Sequence, residues 1–157
     1  MRLCRIPPAL LLGTVILLPG CGKPKPPPVV PVDGTVYLDD KPLAFARVDF
    51  IPMLEHFGAE MNSFGVTDEN GRFTLTCLNQ NQAGAVVGEH RVLVGEHAPA
   101  EARGFDAESQ RKLNDYLSKL TNRPIPRVYS ELSQRKITVE VKAGQTTYDL
   151  RLTRSAK

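Results

Sequence analysis

The stretch Gly65-Val66-Thr67-Asp68-Glu69-Asn70-Gly71-Arg72-Phe73-Thr74-Leu75-Thr76-Cys77 reads as strand, tight turn, strand, and the other segments are placed relative to it. Asn70-Gly71 supplies two residues that tolerate positive φ, as a two-residue hairpin turn requires. Beyond the turn Phe73, Leu75 and Cys77 alternate with Arg72, Thr74 and Thr76, which makes one face apolar and the other polar. Asp68, Glu69 and Asn70 ahead of a glycine also fit the start of a calcium loop. Such a loop needs further oxygen ligands and a closing glutamate about twelve residues from its start. Leu75-Thr76-Cys77-Leu78 offers none, so a turn is expected.

Other runs carry the same period of two. Val32 to Asp39 sets Val32, Gly34, Val36 and Leu38 on one face, and Asp39-Asp40-Lys41-Pro42 turns the chain. Leu43 to Ile51 places Ala44, Ala46, Val48 and Phe50 inward, with Arg47 and Asp49 outward, and Pro52 ends the ladder. Met61 to Thr67 leads into the hairpin. Val86 to Gly95 gives His90, Val92 and Val94 a shared face. Lys136 to Ala143 turns Ile137, Val139 and Val141 inward, and Thr147 to Leu152 does the same for Tyr148, Leu150 and Leu152. Seven short strands separated by turn signals are the pattern of an all-β sandwich.

Glu96 to Ser133 breaks the pattern. Asp106 is placed to cap a helix over residues 107–120, with Leu113, Tyr116, Leu117 and Leu120 on one stripe, stopped by Pro124-Ile125-Pro126. Strand alternation leaves Phe45, Ile51, Phe64, Val66 and Leu93 on outward positions. The helix is expected to pack over part of that outer face. Where it leaves Phe45, Phe64 and Val66 open, they are the candidate partner surface.

Residues 1–20 read as a processing signal: Arg2 and Arg5, then an apolar run from Ala9 to Leu18 that is too short to span a bilayer as a helix. The run closes on Leu18-Pro19-Gly20-Cys21, which resembles the bacterial lipoprotein signal, with Pro19 where a small residue is usual. The resemblance implies lipidation at Cys21. The alternative is an ordinary secretory signal with a coincidental cysteine. Residues 21–31 are proline-rich and form a tether of about 30 Å in polyproline II. Residues 32–153 form the domain, and 154–157 a tail. With Cys4 discarded and Cys21 acylated, Cys77 is the one thiol in the domain and sits on an apolar face as a small core residue.

The formal charge of +3 falls toward zero once Arg2 and Arg5 leave with the signal, and no phosphate loop or basic run with aromatics is present. No nucleic acid is expected as a partner, and no cofactor. The histidines lie in Glu55-His56, Glu89-His90 and Glu96-His97. Zinc requires three or four convergent ligands. The odd separation of His90 and His97 sets them on opposite faces of a regular strand unless a bulge at Gly95 intervenes. No metal is expected. His90 is expected at the edge of the core with its polar tip outward, and the other two histidines in solvent. Asp49, Glu55 and Glu60 read as solvated surface. No Gly-x-Ser-x-Gly elbow is present.

Several stretches resemble, in order, the carboxypeptidase regulatory-like, transthyretin-like domains of bacterial envelope lipoproteins. They are Val32-Asp33-Gly34-Thr35-Val36-Tyr37-Leu38-Asp39-Asp40-Lys41-Pro42-Leu43, Thr67-Asp68-Glu69-Asn70-Gly71-Arg72-Phe73, Gly88-Glu89-His90-Arg91-Val92-Leu93-Val94, and Ile125-Pro126-Arg127-Val128-Tyr129 followed by Ile137-Thr138-Val139-Glu140-Val141. Asp40 replaces a usual glycine, His90 a tyrosine and Val87 a proline. The resemblance implies a seven-stranded Greek-key β-sandwich with one short helix in the crossover before the last two strands. It also implies a structural module, or one that binds an envelope protein or glycan, facing the periplasm or exterior, with no catalytic residues. The alternative is a hydrolase on the same scaffold. Hydroxyisourate hydrolases carry a first-strand histidine and a final Tyr-Arg-Gly-Ser, and both are missing from Val32–Asp39 and Leu150–Lys157.

Overall fold

The computed structural model describes residues 25–134 and 136–154, so the signal and Cys21 lie outside the described residues. The strands are β1 (Val29–Val30), β2 (Asp33–Leu38), β3 (Lys41–Pro42), β4 (Ala46–Pro52), β5 (Ser63–Val66) and β6 (Arg72–Thr74). They continue with β7 (Thr76–Cys77), β8 (Gln82–Ala83), β9 (Ala85–Val86), β10 (Gly88–Glu96), β11 (Thr138–Val141) and β12 (Leu150–Leu152), and the helix α1 spans Ala107–Ser118. The larger sheet runs β11-β10-β4-β5-β7-β8, antiparallel throughout. The smaller runs β12-β2-β3, with β6 also on β2 and β12 parallel to β2. The fold is all-β and of sandwich type, with one α-helix among the described residues.

Alternation decides what the two sheets bury. Val36, Leu38, Phe73, Leu150 and Leu152 from the smaller sheet meet Val48, Phe50, Val92, Val94 and Val141 from the larger in one cluster. Each such side chain contributes roughly 1.5–3 kcal/mol by leaving water. Phe50 and Phe73 bridge the sheets, with ring centroids 6.3 Å apart. Cys77 is buried as a core residue, its thiol directed at the Met61 carbonyl.

The two turns divide the left-handed conformations differently from the sequence expectation. Asp39 (φ 51°) and Asp40 (φ 59°) both take positive φ and close the two-residue hairpin between β2 and β3. At Asp68–Gly71 only Gly71 does, at 74°. Its N–H donates to the Asp68 carbonyl at 3.0 Å, and the Asp68 N–H donates to Arg72 O at 2.8 Å, so the loop holds three residues. The physical reason is the Asp68 carboxylate. Its Oδ1 accepts from the N–H groups of Asn70 (2.8 Å) and Arg72 (2.9 Å), which keeps Asn70 out of the left-handed region.

The strand after this turn is split at Leu75. β6 pairs with β2 in the smaller sheet, whereas β7 pairs with β5 in the larger. Leu75 donates its N–H to Val32 O and accepts from Gly84 N–H, so the chain changes sheets without an unpaired backbone group there. Thr67, 1% exposed, locks the other side of the turn. Its hydroxyl donates to Leu43 O at 2.7 Å and accepts from Ala46 N–H at 2.8 Å.

Asp106 caps α1 through the N–H groups of Glu108 and Ser109, and those bonds hold its carboxyl below the usual range. The helix ends at Ser118, and among the regular elements its main neighbour is the turn Ala100–Ala102, which leaves Ala102 buried. The expectation that it would pack over part of the outer face holding Phe45, Ile51, Phe64, Val66 and Leu93 is therefore corrected. The helix packs on the segment that precedes it, and the Arg47 guanidinium lies 5.2 Å from the Phe64 ring instead. After the helix, Arg123 donates to Glu96 Oε2 at 2.7 Å and to Ala44 O at 2.6 Å, and Ile125 N–H donates to Glu96 Oε1. This half-buried ion pair fastens the returning chain to the end of β10.

Part of the stretch expected to be a tether is paired into the domain. Val29 and Val30, inside the proline-rich stretch assigned to residues 21–31, pair antiparallel with Val86 and Ala85. The composition marked a stalk, but two valines between prolines satisfy a short ladder and cover apolar side chains.

Candidate binding cleft

The outer face of the smaller sheet is made by the residues that alternate away from the core. Asp33, Thr35 and Tyr37 come from β2, Arg72 and Thr74 from β6, and Thr147 and Asp149 from the segment leading into β12. Their register is set by the pairs Asp33↔Thr74 and Thr35↔Arg72, and by a parallel bridge between Asp33 and Thr147. All of these but Tyr37, together with Gly34, Val66, Asp68 and Phe73, line an open cleft of about 740 Å³.

Each acidic side chain in the cleft is held by one oxygen. Asp33 Oδ1 accepts from the Thr147 hydroxyl at 3.0 Å, and Asp149 Oδ1 accepts from Thr35 N–H at 2.9 Å. Asp68 Oδ1 serves its own turn. Among the described residues the second oxygen of each carboxylate has no hydrogen-bond partner. Arg72 has no ion-pair partner among the described residues, so one guanidinium stands among three carboxylates and three threonines. Beyond Thr35 the same face continues to Tyr37, whose ring carries the Arg151 guanidinium at 4.8 Å. The chemistry on offer is hydrogen bonding of both senses on a preset frame, suited to a hydroxyl-rich or mixed-charge ligand. The cleft lining contains no histidine, cysteine or serine.

Of the three apolar positions expected to form a partner surface, Phe64 and Val66 share the outward face of β5, and Phe45 lies beside the end of that strand. Val66, 37% exposed, forms part of the cleft lining. Phe64 is half-buried beside Arg47, which grips Asp49 in a bidentate pair, and that contact raises the guanidinium's pKa. Phe45 is half-buried at φ 52°, its N–H donating to Thr67 O. Glu60 accepts from Gly58 N–H, which lowers its pKa, and Glu55 is exposed.

His90 departs from expectation. It is 0% exposed, set between Pro52 and Val139 in neighbouring strands, with the Phe50 ring 5.7 Å away. Strand parity outweighed the polarity of the ring. Nδ1 lies 3.0 Å from Gly88 O, so it carries the proton, and Nε2 has no partner. Burial pushes its pKa down. The pairing of β10 with β4 is continuous through Gly95↔Arg47 and Glu96↔Ala46, so no bulge swings His97 to the same face. His97 is half-buried, and burial, then the charges of Arg103 and Arg47, lower its pKa. Among the described residues no three His, Cys, Asp or Glu side chains converge.

Sequence reasoning placed most of the cleft side chains on polar faces but did not assemble them. Asp33 and Asp149 meet only because β12 lies parallel to β2, and no local signal announces that pairing. No protein-family model, curated protein or solved structure matches the chain.

Proposed function

We propose that the chain is a non-catalytic lipoprotein of the cell envelope, held to a membrane through acylated Cys21. Its domain is a seven-stranded Greek-key sandwich of transthyretin-like type, serving as a structural or a protein- or carbohydrate-binding module. The observation that carries the reading is the solvent-open cleft on the smaller sheet, with Asp33 and Arg72 on paired strands and Asp149 held beside them by the Thr35 N–H. Further support comes from the ordered turn and strand motifs and from the Leu18-Pro19-Gly20-Cys21 signal.

The test is photocrosslinking in the native envelope from Thr35 and Thr74, with Thr138 on the larger sheet as comparison. A discrete envelope protein or glycan attached from the cleft positions, and not from Thr138, is the expected result. Attachment from none of the three, or equally from all, defeats the cleft as a binding site. In parallel, Cys21→Ala is expected to move the protein from the membrane to the soluble fraction and to abolish fatty-acid labelling. An unchanged membrane fraction defeats the anchor.

A further inference from the structure

The tether enters the domain at the end of the sandwich where Gly88 starts β10, opposite the Glu96 end. Val87 N–H donates to Pro28 O at 2.9 Å, and Val29 and Val30 then pair with Val86 and Ala85. Gly84 makes room for this docking: at φ +113°, a Cβ there would sit 1.8 Å from Val30 O. The last residues of the stalk are thus built into the domain. Only the run from Cys21 to Pro28 remains as spacer, about 22 Å in polyproline II and no more than about 25 Å stretched.

The entry point is surrounded by apolar side chains. Val29 packs with Leu54 and Phe57 over the buried Met61, Cys77 and Val86. Beside them Met53 is 40% exposed and Leu78 51% exposed, following directly on β4 and β7. Charges of both signs are interspersed at this end: Glu55 is exposed on the same loop, Glu60 accepts from the Gly58 N–H, Lys25 is exposed on the entering segment, and Lys142, next to the Val141 partner of Gly88, pairs with Glu140. With acids and bases both present, the apolar side chains are what such a surface offers an interface.

Resting on the anchor reading above, we infer that this end of the sandwich docks on the bilayer that holds Cys21. Met53, Leu54, Phe57 and Leu78 lie in the interfacial region, and the domain stands with its Glu96 end away from the membrane. A spacer of this length holds the surface near the bilayer at an effective concentration in the millimolar range or above, so contacts too weak to bind a free domain are populated. The far end is about 26 Å away, the length of β10.

The chain contains no tryptophan, so each introduced one is a sole reporter. The full acylated protein in phosphatidylcholine vesicles with brominated acyl chains would carry Leu78→Trp, Met53→Trp or, for the far end, Glu69→Trp, in the exposed turn after Thr67, whose N–H donates to Ala46 O opposite Glu96. Expected is a blue-shifted emission quenched roughly twofold at positions 53 and 78 and unquenched at 69. The quenching persists at about 0.5 M salt. Gly84→Ala, which displaces β1, removes at least half of it. Equal quenching at all three positions, or none at 53 and 78 with Cys21 acylation verified by mass spectrometry, overturns docking alone. Shielding without bromine quenching overturns it in favour of a protein partner. A Cys21 without acyl mass overturns the anchor reading and docking together.

Discussion

Acid should weaken this domain through one side chain before its carboxylates titrate. His90 is 0% exposed, its Nδ1–H is given to Gly88 O, and Nε2 meets no acceptor. Protonating Nε2 would place a donor and a charge where nothing accepts either, so burial lowers the folded-state pKa below 6.5. The unfolded chain takes up this proton as pH falls through 6.5, and the folded one does not. Stability is therefore full above that value and declines below it, until the folded imidazole itself accepts the proton. For one such group the slope is at most about 1.4 kcal/mol per pH unit, and it ends where the folded imidazole takes up its own proton. The assay is urea unfolding followed by far-ultraviolet circular dichroism at pH 8, 6.5, 5.5 and 5. His90→Leu should flatten the profile in this window, and His97→Gln should leave most of it in place because His97 is only half-buried. Asp39, Glu60 and Asp106, also lowered, lose their contributions below the window, as pH falls through the carboxylate range. A wild-type profile flat from pH 8 to 5, or the same slope in His90→Leu, refutes the assignment.

Thr67→Val keeps the shape but leaves Leu43 O and Ala46 N–H without their buried partner. The expected loss is about 3 kcal/mol, against about 1 kcal/mol or less for Thr67→Ser, read from unfolding midpoints. Arg123→Met strands Glu96, whose side chain is 27% exposed, and should cost about 2–3 kcal/mol. Adding Glu96→Gln should restore part of that loss, as a double-mutant cycle in urea would register.

The alternation of single strands was legible because burial on a pleated strand follows parity alone. Val36 and Leu38, Phe73 and Leu75, Val92 and Val94, and Leu150 and Leu152 are all buried as their positions require. Parity even decided His90 against the pull of its polarity. Neighbourhood was not legible, because a strand's sequence names its inward face and not its partner. The meeting of Asp33 with Thr147, of Thr35 with Asp149, and of Arg123 with Glu96 joins residues far apart along the chain. The turns show the same limit at short range. Asn70-Gly71 and Asp39-Asp40 both tolerate positive φ, but the Asp68 carboxylate holds Asn70 out of it while both aspartates adopt it.

The strand that leaves one sheet and joins the other at Leu75 has a mechanical consequence. A sandwich held only by side-chain contact between its layers yields when one layer slides or peels off the other. Here the layers share a continuous peptide from Arg72 to Cys77, hydrogen-bonded into β2 at one end and β5 at the other. A pull on β1 reaches Gly84 and Leu75 through hydrogen-bonded backbone groups and is divided between both layers. Shearing them apart means breaking both ladders at once, so under load the domain gives way as a single unit.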